Sequence, residues 1–226
     1  MTSLVLVLPL LVFYEIGVIS SDRMNGADLV TSALLRLVGT QGFIGVQIGL
    51  IVIVLGIAAY LRKHQQLRLA QILPVILESG VYALTMGTFI IFVMVDVLHI
   101  DPRLAAGTSP IASASIFQKL LMSVGAGVHE ELVFRMLLFG GIFALLTKLK
   151  FANRRWIAML IALGISSVLF SAAHHIGPLG DPLRIGVFTY RAIAGLFFGL
   201  IYHYRGFAIA VYSHSLYDIY VMIFAG

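Results

Sequence analysis

Seven long apolar stretches joined by short polar connections make up most of this chain: residues 3–20, 43–61, 75–97, 113–147, 156–173, 185–203 and 206–224. A transmembrane helix needs about 20 mostly apolar residues, and each stretch meets or approaches that length. Only 11% of the residues are charged and 60% are hydrophobic, against about 25% charged in an average soluble domain. A surface built from this composition faces lipid. Backbone groups in lipid must be satisfied internally, which favours helices. The expected fold is all-α: a polytopic transmembrane helical bundle of seven or eight spans around an interior polar cavity. The eighth span arises if residues 113–147, too long for one straight crossing, break near Gly125 and Gly127 instead of forming one tilted helix. A single integral membrane domain over 1–226 accounts for the length. The first apolar run has no basic segment before it and no small-residue cleavage pattern after it, so a retained span is expected.

Residues 27–38 place apolar side chains at helical spacing beside Asp28 and Arg36, the pattern of a short interfacial or re-entrant helix or of an ordinary loop helix. The net charge of +5 comes from basic residues in short loops, notably 62–68 (Arg62, Lys63, Arg68) and 148–155 (Lys148, Lys150, Arg154, Arg155). Such loops set topology and meet anionic headgroups. Without a basic stripe or stacking platform, no nucleic-acid partner is expected. If residues 113–147 cross once, both loops lie on one face, which the positive-inside rule makes cytoplasmic. The absence of cysteine excludes disulfides, thiol catalysis and thiolate-bound metal.

Charge inside a bilayer costs about 2.5–3.5 kcal/mol per residue on insertion scales, so ionisable residues in apolar stretches need a reason. Three groups stand out. In His129-Glu130-Glu131-Leu132-Val133-Phe134-Arg135, Glu131 and Arg135 are four apart on one helical face and can pair. Glu130 points about 100° away and has no partner in its own helix, as a general base or acid does. Both glutamates belonging to one structural ion network is the competing reading. In Phe170-Ser171-Ala172-Ala173-His174-His175, Phe170 and His174 share a face at the end of a span. There a catalytic His174 competes with a capping or interfacial one. His214 and Asp218 lie four apart in the last span. Asp218 either fixes the imidazole tautomer or joins His214 on a common ligand.

A bundle can bring one glutamate, two histidines and one aspartate from three helices to a single interior point. The set suits hydrolysis. Glu130 takes a proton from water that His174 helps to hold, while His214 and Asp218 stabilise the charge on the attacked carbonyl oxygen. The same donors, His174, His214 and Glu130, could also hold zinc. The H-E-x-x-H zinc motif itself is absent, because Val133 stands at its second histidine position.

These motifs, in order, resemble a known family. Glu130-Glu131 with Arg135 matches EExxxR, Phe170 with His174 matches FxxxH, and His214 with Asp218 matches HxxxD. The run Gly195 to Tyr202 with Arg205-Gly206 resembles the penultimate helix and turn of the same group. The chain is similar over roughly residues 120–222 to the CPBP family of CAAX proteases and bacteriocin-processing enzymes, also called Abi. The resemblance implies a bundle of about eight membrane helices with an interior cavity. It implies hydrolysis of a peptide bond in a membrane-associated, lipidated or leader-peptide substrate, with no obligatory cofactor and zinc as an alternative. By position Glu130 is the water-activating base, and His174, His214 and Asp218 complete the catalytic set. Glu131, Arg135 and Phe170 support them, and the catalytic core is expected at about 113–224. Three features depart from the family pattern. Asp218 stands where Asn is common, Met136 stands where Gly is common, and His129 and His175 are additional histidines that either could enter a metal site.

Two other functions compete: a non-catalytic immunity or scaffold protein on the same fold, and a transporter or proton relay using Glu15, Glu78 and Asp96. Transporters often show internal repeats, and none is visible. The Gly195–Gly199 spacing is expected to pack helices within the bundle rather than to dimerise the chain. The expected partners are a peptide or protein substrate and membrane lipid, with no oligomeric state implied. The expected location is a prokaryotic inner membrane.

Overall fold

The computed structural model describes residues 2–21, 29–63, 72–101, 114–149, 154–176 and 181–225. Among them every regular element is helical. The elements are α1 (Thr2–Ser21), α2 (Leu29–Lys63), α3 (Ile72–Phe92), α4 (Ile116–Glu130), α5 (Gly140–Lys148), α6 (Arg155–Ala173), α7 (Ile185–Arg205) and α8 (Phe207–Tyr220). Wider π-helical turns continue α3 over Val93–Val97, join α4 to α5 over Glu131–Phe139, and extend α8 over Val221–Ala225.

Four helices are long and apolar enough to cross a membrane: Ile72–Val97, Arg155–Ala173, Ile185–Arg205 and Phe207–Phe224. In α1 and α2 the described residues give shorter apolar runs, Val5–Gly17 and Leu37–Val46. α3 shows what its surroundings must be. Ser79, Ala83, Met86 and Ile90 are buried along one face, while Leu73, Leu77, Val81 and Leu84 stand exposed on the other. An apolar stripe of this kind is costly in water and ordinary in lipid.

Of the two readings of residues 113–147, one tilted helix or two pieces, the break near Gly125 and Gly127 does not occur. Both glycines lie inside α4, and the path from Ile116 to Lys148 stays right-handed through Glu130, Glu131, Phe139 and Gly140. The reason is packing. A Cβ on Gly127 would lie 2.8 Å from the Ser215 backbone nitrogen and 2.9 Å from the Val211 carbonyl oxygen. The missing side chain therefore lets α4 and α8 touch backbone to backbone. The start of α4 is fixed locally by a capping box. Ser115 Oγ accepts from the Gln118 amide at 3.2 Å, and Gln118 Oε1 accepts from the Ser115 amide at 3.1 Å.

The short helix expected at 27–38 begins at Leu29. It ends at Gly39, where φ 68 and ψ 176 interrupt α2; a positive φ favours glycine. Asp28, His64, Arg68 and Lys150 lie outside the described residues. Arg62 and Lys63 close α2, Lys148 closes α5, and Arg154 and Arg155 open α6.

α8 is central, packed against α1, α3, α4 and α7, while α6 packs on α7. Met86, Ile90, Met94, Ala194, Phe198 and Ala210 fill the space between α3, α7 and α8. Tyr14, Leu121, Val124 and Val211 join α1, α4 and α8. As the spacing predicts, Gly195 packs within the bundle, where an added Cβ would lie 2.9 Å from Ser167 Cα. α7 turns into α8 at Gly206, whose φ of 91 suits glycine and whose amide donates to Ile201 O and Tyr202 O.

Candidate active site

The three ionisable groups converge where α4, α6, α7 and α8 meet. Glu130 is the last residue of α4 and Glu131 the first of the π-helical segment. Glu131 Oε2 lies 3.2 Å from Arg135 Nε, an ion pair by distance. The guanidinium packs over the Phe170 ring at 4.3 Å and over Phe198 at 5.5 Å, with Nη2 3.5 Å from Gly195 O. Aromatic faces offset part of the cost of burying this cation. The π-helical turn is braced from α6, where Ser166 Oγ donates to Phe134 O at 2.6 Å.

His214 connects the two glutamates. Its Nδ1 is 2.8 Å from Glu131 Oε1, so the hydrogen sits on Nδ1 and the carboxylate accepts. Nε2 then faces the other way, 3.8 Å from Glu130 Oε2 and 3.6 Å from Asp218 Oδ2. The ring stacks on Phe198 with centroids 4.4 Å apart and planes 18° apart. His174 caps the end of α6. Its Nδ1–H donates to Phe170 O at 2.8 Å, which turns Nε2 toward Glu130 Oε2 at 3.6 Å. The neighbouring Phe170 ring lies 4.9 Å from His174 and 6.1 Å from His214.

The structure therefore brings all seven expected residues together. Of the two readings of Asp218, fixing the His214 tautomer or sharing a ligand with it, the first does not hold: Glu131 holds Nδ1–H, whereas Asp218 sits beside Nε2 beyond hydrogen-bond range. The two additional histidines, His129 and His175, both turn away from the cluster. The His129 Nδ1–H donates to Gly125 O at 3.1 Å, and Nε2 lies 3.5 Å from the buried Glu15 on α1. The His175 Nδ1–H donates to Asp181 O at 2.9 Å. His129 is adjacent to Glu130 on α4, so its side chain leaves the helix about 100° away. Glu78 likewise belongs to a pair with Arg205 at the end of α7. Phe198, the Gly195 carbonyl and Ser166 were not read from the sequence. The only sequence signal for Phe198 was its place inside the glycine-spaced run of α7.

Glu130, Glu131, Arg135 and His214 are nearly enclosed, with side-chain exposures of 3%, 0%, 1% and 6%. His174 and Asp218 each expose 19%, so the site opens on their side. Burying several charges is costly unless they pair. Here carboxylates, guanidinium and imidazoles face one another, and Glu130 Oε2 keeps no hydrogen-bond partner. Glu130, His174 and His214 have the donor chemistry of a zinc site. Among the described residues no group of three or more His, Asp or Glu side chains is arranged to hold a metal ion.

Residues 112–220 match the family model described as type II CAAX prenyl endopeptidase Rce1-like. Comparison with curated proteins found no match, and comparison with solved structures found none. The matched segment spans α4 to α8 and contains every residue of the cluster. Together with four helices able to cross a bilayer, the match makes the chain an integral membrane protein. Residues 112–220, the segment that carries this site, are similar to the Rce1-like family of type II CAAX prenyl endopeptidases, a family of proteases.

Proposed function

We propose that the protein is an intramembrane endopeptidase in which Glu130 activates the attacking water. The observation that carries this reading is the relation of Glu130 Oε2 to its neighbours. It is buried, has no hydrogen-bond partner, and faces His174 Nε2 at 3.6 Å and His214 Nε2 at 3.8 Å. Both spacings exceed a hydrogen bond, yet one oxygen about 2.8 Å from each atom can bridge either pair. A water donating to Glu130 and touching His174 Nε2 is positioned for deprotonation.

Glu130 takes one proton, and the resulting hydroxide adds to the carbonyl carbon of the scissile bond. The carbonyl π electrons move to oxygen. The His214 Nε2–H, in the imidazolium form, donates to that oxygen, and Glu131 on Nδ1 keeps the ring aimed. The proton on Glu130 passes to the leaving nitrogen as the C–N bond breaks, giving a carboxylic acid and an amine. Asp218 flanks the same oxygen position. Glu131, Arg135 and Phe170 hold the frame. No metal takes part in this scheme.

The substrate is a peptide that reaches the site from the membrane, either lipidated or a leader peptide. The catalytic core is residues 113–224 within one membrane domain. α1, the part of α2 after Gly39, and the continuous 116–148 path cross the bilayer alongside the four apolar helices. That makes seven spans, with the basic loops on the cytoplasmic face of a prokaryotic inner membrane. The test is cleavage of prenylated and unprenylated peptide libraries by detergent-purified protein, with and without a chelator. Cleavage by wild type that Glu130→Ala abolishes and chelation spares supports the scheme. Loss on chelation with recovery on adding zinc replaces it with metal-dependent hydrolysis. A Glu130→Ala strain that keeps full cellular function points to a non-catalytic scaffold.

A further inference from the structure

His174 lies at the end of its helix, on the side where the site opens. α6 ends at Ala173, and His174 sits just past it with φ −74 and ψ −9. From its own helix the ring is held by Phe170 alone among the described residues, through Nδ1 on Phe170 O and the Phe170 ring at 4.9 Å. The chain beyond the helix end therefore decides where Nε2 points.

Three contacts converge on one residue past the turn. The Asp181 amide donates to His174 O at 2.9 Å. The Asp181 carbonyl accepts from His175 Nδ1 at 2.9 Å. The Asp181 carboxylate meets Arg191 Nη2 of α7 at 2.6 Å. Two further contacts bind the same turn to the same stretch of α7. Ser171 Oγ donates to Phe188 O at 2.7 Å, and the His175 ring stacks near Phe188 at 5.9 Å. Arg191 is one helical turn before Gly195, whose carbonyl faces Arg135. The same helix thus touches the glutamate network at one turn and the His174 turn at the previous one.

We propose that Asp181 and Arg191 are positioning residues, a clasp that fixes the His174 turn to α7 and so holds the imidazole toward Glu130. This inference rests on the proposed roles of Glu130 and His174. The clasp touches no reacting atom. Its backbone links survive any side chain at position 181, so the carboxylate–guanidinium contact is the part a substitution can remove. Misplacing a catalytic group by about 1 Å can cost about 10²-fold in rate, and an untied turn permits such a shift.

The experiment measures kcat, KM and melting temperature in detergent for wild type, Glu130→Gln, Asp181→Ala, Arg191→Gln and the charge swap Asp181→Arg with Arg191→Asp. Asp181→Ala and Arg191→Gln are expected to lower kcat by roughly 10- to 10²-fold with KM and melting temperature near wild type, and the swap to regain most of the loss. A raised KM with unchanged kcat overturns the inference and makes Arg191 a substrate-binding cation. A lowered melting temperature that accounts for the lost turnover overturns it in favour of a purely structural pair. Wild-type turnover in both single variants, with Glu130→Gln inactive, removes the clasp and leaves the glutamate mechanism standing. Full turnover by Glu130→Gln removes both.

Discussion

The two nitrogens of His214 have separate tasks, and the difference decides what Asp218 can do. Nδ1 is committed to Glu131 at 2.8 Å, so Asp218 is not needed to set the tautomer. Near Nε2, a carboxylate at 3.6 Å repels a developing oxyanion, whereas an amide at the same place donates to it. Asp218→Asn is therefore expected to keep or raise kcat/KM, and Asp218→Ala not to lower it, since neither side chain carries the repelling charge. Equal losses in both variants, measured on one cleaved peptide, would show that the carboxylate itself is required. The pairing of Glu131 with Arg135 was legible in the sequence because i,i+4 contacts belong to a single helix. The hydrogen bond from His214 to Glu131 was not, because it joins positions 83 apart and depends on how deeply α8 sits against α4.

At the scale of helices, the site depends on the approach of α4 to α8. Gly127 allows it, since a Cβ there meets the backbone of Ser215 and Val211, atoms that cannot rotate away. Gly127→Val is expected to separate the helices, lower the melting temperature in detergent and reduce turnover. At Gly45 an added Cβ meets nothing within 4 Å, so Gly45→Ala is expected to leave both quantities unchanged. A Gly127→Val protein that melts and turns over like wild type contradicts the close-contact role. The sequence left residues 113–147 open between one tilted helix and two pieces broken near Gly125 and Gly127, because glycine weakens helices. It did not reveal that packing against Tyr14 and Ser215 makes the same glycines favourable inside a continuous one. The wide turn at Glu131–Phe139 was likewise invisible, since it is braced from outside by Ser166 on α6.

For the whole molecule, apolar content announced the all-helical membrane fold, and three ordered motifs announced the cluster, because both are written in residue type and spacing. Topology is testable for a practical reason: the chain has no cysteine. Single variants Arg62→Cys and Arg154→Cys, probed in oriented vesicles with a membrane-impermeant thiol reagent, are expected to react from the same face. Labelling from opposite faces would mean that the 116–148 path does not cross once. The mechanism as a whole turns on Glu130 as the base. Glu130→Gln keeps the shape of the side chain and removes its capacity to take a proton, so turnover of a cleaved peptide by this variant, beside its melting temperature, is the direct measurement. The predicted result is a fall of roughly 10³-fold or more in kcat at an unchanged melting temperature; turnover close to wild type would contradict that role.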